Sequence, residues 1–272
     1  MTDRVAIILA AGVSSRMNSQ VPKVLHNLCG RTVLSYVLEA CRSAGIEKEY
    51  VVIGHGAEQV KEQFSADEDI VWVKQEEQKG TAHAVLCCKE HLEDFDGETL
   101  VLCGDGPLIR SEMLRALIEK HRAERSAVTL ATAILDDPTG YGRISRDEKG
   151  NVVGIVEHND CTDEQLAITE INPSYYLFDN KVLFEAVDKV KPDNAKNEYY
   201  LTDAISIIIA AGHKVAAITA VRSEEAVSIN TQEQLLKVSK IMQHRIRQKA
   251  VKSCDGSAKS CKAAASSKDR IK

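Results

Sequence analysis

Hydrophobic and polar positions fall into alternating blocks along the 272-residue chain. VAIILAAG, Val5 to Gly12, is an unbroken apolar run of strand length. TVLSYVLEACRSAG, Thr32 to Gly45, spaces its apolar residues three and four apart and stops at a glycine, as a helix does. The alternation repeats: YVVIGHG before AEQVKEQF, IVWVKQ before GTAHAVLCCKEHL, and TLVLCGDGPLI before SEMLRALIEKHRAE, where Ser111 is the expected cap ahead of Glu112. VTLATAIL is a fifth run. Continuous apolar runs between helical spans predict a mostly parallel sheet covered by helices on both faces. The pattern changes after Asp136. GRISRDEKGNVVGIVEH predicts a β-hairpin around a Lys149-Gly150-Asn151 turn. Helical spacing returns at KVLFEAVDKV and LTDAISIIIAAG, KVAAITAV is a late strand, and an amphipathic helix is predicted from Thr231 to about Ala250. Beyond it the chain is rich in Lys, Ser and Ala, with almost no large apolar side chain. One domain over 1–250 and a disordered basic tail over 251–272 are therefore expected.

Composition narrows the classes. Hydrophobic residues make up 44% and charged residues 28%, the balance of a soluble globular protein. No apolar run approaches the ~20 residues of a membrane span, and MTDRVAIILAAG lacks the order of regions of a signal peptide. A cytoplasmic protein with no membrane partner is expected. From Lys252 onward there are six basic and two acidic residues, so the overall charge of −5 leaves about −9 on the rest. That balance argues against a nucleic-acid face. An anion bound to such a body is held locally, by few cations and a metal. Eight cysteines without a CxxC pair, several of them in apolar segments, read as buried reduced thiols rather than a zinc site or disulfides.

Three loops carry the candidate chemistry. In an open parallel sheet, ligands bind beyond the carboxyl ends of the strands. LAAGVSSRMNSQVPKVLH ends the first run in a Gly/Ser loop carrying Arg16 and Lys23, which suits a polyanion, although neither GxxxxGK[ST] nor GxGxxG is present. QEEQKGTAHA places the amides of Gln75 and Gln78 beside a Gly80-Thr81 turn, and an amide can read a base edge with both donor and acceptor. LCGDGPLI puts Asp105 just past a buried strand, where a carboxylate suits Mg2+. Each loop alone also reads blandly: a turn with two solvated cations, a polar loop, an Asx-turn. Their joint occurrence along one predicted edge favours a site.

The motifs LAAGxxSRMxxxxPKVLH, QxEQxGTAHA, GDxPLI, PTGYGRI, GIVEH, EIN and NEYYLTD occur in this order between about Val5 and Ala250. Together they resemble the uridylyltransferase domain of bacterial N-acetylglucosamine-1-phosphate uridylyltransferase. The resemblance implies a Rossmann-like nucleotidyltransferase fold, a mostly parallel mixed sheet with helices on both faces and a β-hairpin sugar-binding insertion. It implies transfer of UMP from UTP to N-acetylglucosamine 1-phosphate with Mg2+. It assigns Leu9, Ala10, Ala11, Gly12, Gln75, Gln78, Gly80, Thr81, Cys103, Gly104 and Asp105 to the nucleotide, and Arg16 and Lys23 to the triphosphate. Gly142, Glu157, Asn172, Tyr199, Tyr200 and Thr202 fall to the sugar, and Asp105 and Asn230 to the metal. The family commonly continues into a left-handed β-helix acetyltransferase domain whose motifs are not found here, so no acetyl transfer and a monomer are expected.

The chain departs from the family pattern at Ser14, where a second glycine is common, at Cys103, where a tyrosine is common, and at Pro173-Ser174, where Thr-Gly follows EIN. Ser228 replaces a glycine near Asn230. Alternatives to the main expectation are the same chemistry on another sugar 1-phosphate and a non-catalytic nucleotide-sugar sensor. A sensor would not need the cations that stabilise a leaving group.

Overall fold

The computed structural model describes residues 4–13, 15–17 and 19–268, with the side chains of Ser15 and of 252–268 left aside. Ser14 lies outside the described residues. The elements in order are β1 (Arg4–Leu9), β2 (Asn27–Leu28), β3 (Arg31–Thr32), α1 (Val33–Ser43), β4 (Lys48–Ile53), α2 (Ala57–Gln63), β5 (Ile70–Lys74), α3 (Thr81–Leu86), α4 (Lys89–Leu92), β6 (Glu98–Cys103), α5 (Ser111–Glu124) and β7 (Val128–Ile134). They continue with β8 (Gly142–Arg146), β9 (Val152–Val156), α6 (Asp163–Leu166), β10 (Glu170–Asp179), α7 (Asn180–Val187), α8 (Leu201–Ala210), β11 (Val215–Ile218) and α9 (Gln232–Lys268).

The main path of the central sheet runs β11-β7-β10-β6-β1-β4-β5. β1 pairs parallel with both β4 and β6, and β5 pairs parallel with β4. Their carboxyl ends therefore share one edge. The apolar run at β1 is continuous because both of its faces are covered. Ala6 and Ile8 join a core with Val37, Leu38, Leu114 and Leu117 of α1 and α5, while Val5 and Ile7 join another with Val85, Leu183 and Ile205 of α3, α7 and α8. α1 starts where the Thr32 side chain accepts from the Ser35 amide, and Gly45, at φ +87°, follows its end in the left-handed region.

β8 and β9 form the expected hairpin and join the sheet through β10. The sequence pattern did not reveal β10 itself. This long strand runs antiparallel between β6 and β7, making the sheet mixed, with an irregularity between Ile171 and Tyr175. Asn172 is thus a strand residue. Two other expectations change. α5 begins at Ser111 itself, with Arg110 at the capping position and no side-chain cap. α9 continues as helix to Lys268 instead of ending near Ala250; residues 269–272 are not described. A third core, containing Met17, Leu28, Leu108, Ile229, Val238 and Met242, fastens the front of α9 to the β1 and β6 loops.

Candidate active site at the carboxyl edge

The loops after β1, β5 and β6 meet at the same edge, as parallel pairing requires. Ala10 N donates to the Val52 carbonyl at 2.8 Å, and Gly104 N donates to the Leu9 carbonyl at 2.9 Å. Ala10 and Ala11 are buried, Gly12 is exposed, and a side chain at Gly12 would meet open space. Gly104 is closely packed: a Cβ would lie 3.3 Å from both Ala10 and Ile8.

Lys23 stands in a 3-10 turn at Lys23–Leu25. Its ammonium pairs with Asp105 Oδ2 and donates to Asn230 Oδ1 at 2.9 Å. Three segments separated by 82 and 207 residues from Lys23 are thereby joined. Ile229 N donates to the Asp105 carbonyl at 3.0 Å, so the segment before α9 is laid along the β6 loop. Arg245 on α9 donates to the Leu108 carbonyl at 2.6 Å, and Gln232 Nε2 to the Met17 carbonyl at 3.1 Å. Asp105 Oδ1 is buried and has no hydrogen-bond partner among the described residues. Among them, no cluster of three or more His, Cys, Asp or Glu side chains suits a metal. Arg16, in the 3-10 turn Ser15–Met17, is exposed, and the structure does not bring it to the Lys23 cluster through any ion pair among the described residues.

The second loop is shaped by close backbone approach. Gly54 leaves room for the Gln78 side chain, since a Cβ there would lie 2.5 Å from Gln78 Nε2. Gly80 has φ +117°, and a Cβ would collide with the Tyr199 backbone. Tyr199 N donates to the Lys79 carbonyl at 2.8 Å, and Ala82 N to the Tyr199 carbonyl at 2.9 Å. Tyr199 therefore lies beside Gly80, with its ring 6.4 Å from the His83 ring. Thr81 Oγ1 accepts from Leu201 N at 2.9 Å, at the start of α8. Tyr200 is buried at that helix start, and burial with Glu198 nearby pushes its hydroxyl up to about 12.

The remaining sugar-side candidates do converge. Strand register sets Asn172 against Gly142. A Cβ at Gly142 would lie 3.1 Å from Ile155 and 3.6 Å from both Asn172 Cβ and Glu157 Oε2. Thr202 Oγ1 donates to Glu157 Oε1 at 3.0 Å. Burial raises the Glu157 carboxyl above its ordinary value, and the Thr202 bond opposes that rise. Asn172 Nδ2 donates to the Tyr176 hydroxyl at 2.6 Å, and Asn172 Oδ1 accepts from Ser174 N at 3.1 Å. Cys103 lies between the two groups: burial, with Asp105 nearby, pushes its thiol up to about 12, so it is a neutral thiol and no nucleophile at pH 7. Ser174, at φ +64°, rests its hydroxyl against Cys103 and Tyr176. Neither the Ser174 contacts nor the Thr202–Glu157 bond has a signal in sequence spacing. His83, by contrast, stands inside a motif already singled out.

A glycine-lined carboxyl edge that gathers a carboxylate, an amide oxygen and an ammonium defines a phosphate-handling α/β protein. The comparisons agree: the chain belongs to the nucleotidyl transferase family, whose model matches residues 5–247. It is 45% identical over 248 residues to the bifunctional protein GlmU of Listeria monocytogenes serotype 4a, covering 91% of this chain and 54% of that protein. It is 47% identical over 246 residues to the bifunctional protein GlmU of Geobacillus thermodenitrificans, covering 90% and 53%. The chain thus spans about half the length of these curated relatives. A solved UDP-glucose pyrophosphorylase complexed with UDP-glucose shares the fold, with TM-score 0.73 and 16% identity, over 90% of this chain and 100% of that one. No helix among the described residues is long and apolar enough to cross a membrane.

Proposed function

We propose that the chain transfers UMP from UTP to N-acetylglucosamine 1-phosphate, yielding UDP-N-acetylglucosamine and pyrophosphate. The observation that carries this reading is the pairing of two adjacent groups at the edge. Lys23, Asp105 and Asn230 form a charged cluster suited to phosphates, and Gly142, Glu157, Asn172 and Thr202 form a polar group suited to an amino sugar. The named relatives and the motif resemblance support the same direction.

The chemistry needs no general base. A sugar 1-phosphate is largely dianionic at pH 7, because its second pKa is ~6. Its oxygen attacks the α-phosphorus of UTP in line, a P–O bond forms, and the bond to the β-phosphate oxygen breaks to release pyrophosphate. Catalysis is then positioning and charge neutralisation. Ala10, Ala11 and the open Gly12 offer backbone to the nucleotide. Gln75, Gln78 and Gly80 face the base, and Thr81 fixes the α8 start beside them. Arg16 and Lys23 neutralise the departing pyrophosphate. Glu157, held by Thr202, and Asn172 take the sugar, with Gly142 leaving room. Asp105 and Asn230 fit Mg2+, because both offer hard oxygens and Asp105 Oδ1 is buried without a partner among the described residues. Bound there, the ion supplies charge neutralisation at the phosphates.

The same reading makes 1–250 the catalytic unit and 251–272 a basic appendage, in the cytoplasm where such thiols stay reduced. Pyrophosphate release from UTP and Mg2+ across a panel of sugar 1-phosphates tests it. Preference for N-acetylglucosamine 1-phosphate is expected. Preference for another sugar keeps the chemistry and moves the substrate, and silence with all of them rejects transfer.

A further inference from the structure

Gln75 follows β5, is only 3% exposed, and is held by its backbone N, which donates to the Ile53 carbonyl at 2.8 Å. Its side-chain amide is also fixed. Nε2 lies 3.1 Å from the Gly80 carbonyl and 2.9 Å from His83 Nδ1. A carbonyl can only accept, so the atom facing Gly80 is the amide nitrogen. That nitrogen carries two hydrogens. The second goes to His83 Nδ1, which must then be the unprotonated ring nitrogen. Both donors are committed inside the protein. Among the described residues no donor reaches Oε1, so the amide has one face left to offer and that face is an acceptor.

We propose that His83 is a positioning residue that locks the Gln75 amide with its oxygen toward the base, and so selects a base presenting a ring N–H. The inference rests on the placement of the nucleotide given above. Uracil presents N3–H as a donor, whereas cytosine presents N3 as an acceptor and would leave two acceptors facing each other. Turning the Gln75 amide over would rescue cytosine, but it would put Oε1 against the Gly80 carbonyl, and His83 could keep its bond only by moving its proton to Nδ1. Burial lowers the pKa of His83, Lys79 adds to the effect and Glu77 opposes it, which keeps the ring neutral and Nδ1 able to accept. The Tyr199 ring beside His83 helps to hold its orientation.

Calorimetric binding of UTP and of CTP to the full chain with Mg2+ tests this, using wild type, His83→Leu and His83→Asn. Wild type should prefer UTP. His83→Leu removes the acceptor at similar volume and should lower the UTP:CTP affinity ratio by about tenfold or more. His83→Asn can place an acceptor oxygen near the Nδ1 position and should restore part of the ratio. Equal binding of UTP and CTP by wild type, or an unchanged ratio in His83→Leu because both affinities fall alike, overturns the proposal. The readout is binding, so a wild type that binds UTP selectively but releases no pyrophosphate would reject the transfer reaction without touching the role of His83.

Discussion

The two ends of the edge, which the proposed function assigns to the phosphates and to the sugar, are built on different plans. At the first end, Lys23, Asp105 and Asn230 come from loops far apart in sequence, and the Lys23 ammonium already holds Asp105 Oδ2 and Asn230 Oδ1. At the second, the groups are placed by strand register and by a helix start: Asn172 against Gly142, Thr202 on Glu157. One end holds charge that a ligand must rearrange. The other is held in place by its own hydrogen bonds, Thr202 on Glu157 and Asn172 on Tyr176. The difference teaches which perturbations should change rate and which should change recognition.

The largest expected effect breaks the phosphate end. Lys23→Ala leaves Asp105 and Asn230 without their internal cation and removes charge stabilisation from the leaving group. Turnover should fall on the order of 10²–10³-fold in steady-state assays. A smaller effect sharpens the contrast. Glu157→Gln should raise KM for the sugar phosphate about tenfold and leave KM for UTP nearly unmoved. If both rise together, the two ends do not act separately.

Stability should distinguish the ends as well. Thr202→Val removes one partly buried hydrogen bond and should cost about 1 kcal/mol in chemical denaturation. The raised Glu157 carboxyl gives a pH signature. A carboxyl raised on folding stabilises the fold while protonated. That stability is fully present below its ordinary value near 4.5 and is lost as pH rises through the raised one. The Glu157 contribution should therefore fall across that window, and Glu157→Gln should remove it from the pH profile of the melting temperature; Glu49 and Asp203, also raised by burial, act in the same sense, while His83 and His121, lowered by burial, act in the opposite one. The smallest effect concerns the appendage: ending the chain after Ala250 should leave turnover within about twofold, because among the described residues the apolar core against α9 ends at Met242.

The same contrast explains how much could be read from sequence. The edge loops were legible because each follows a continuous apolar run, and parallel strands must deliver their ends to one side. The Lys23 cluster followed from them once Asn230 was added by resemblance, though its internal ion pair did not. β10 was hidden because Pro173 argues against a strand. The chain accommodates it with an irregularity, a left-handed Ser174, and the Asn172 side chain accepting the Ser174 N–H. The sugar end depends on that strand's register, which no local pattern encodes. Tyr199 shows the same limit: its place beside Gly80 is set by two backbone hydrogen bonds of the 79–82 turn, far away in sequence.

The central claim is that nucleotidyl transfer takes place at the Lys23–Asp105–Asn230 cluster. The most direct test is pyrophosphate release from UTP and N-acetylglucosamine 1-phosphate with Mg2+, in wild type beside Lys23→Ala and Asp105→Ala. We expect release by wild type and a loss of about a hundredfold or more in both variants. Variants that turn over as fast as wild type, or a wild type that releases none, would contradict it.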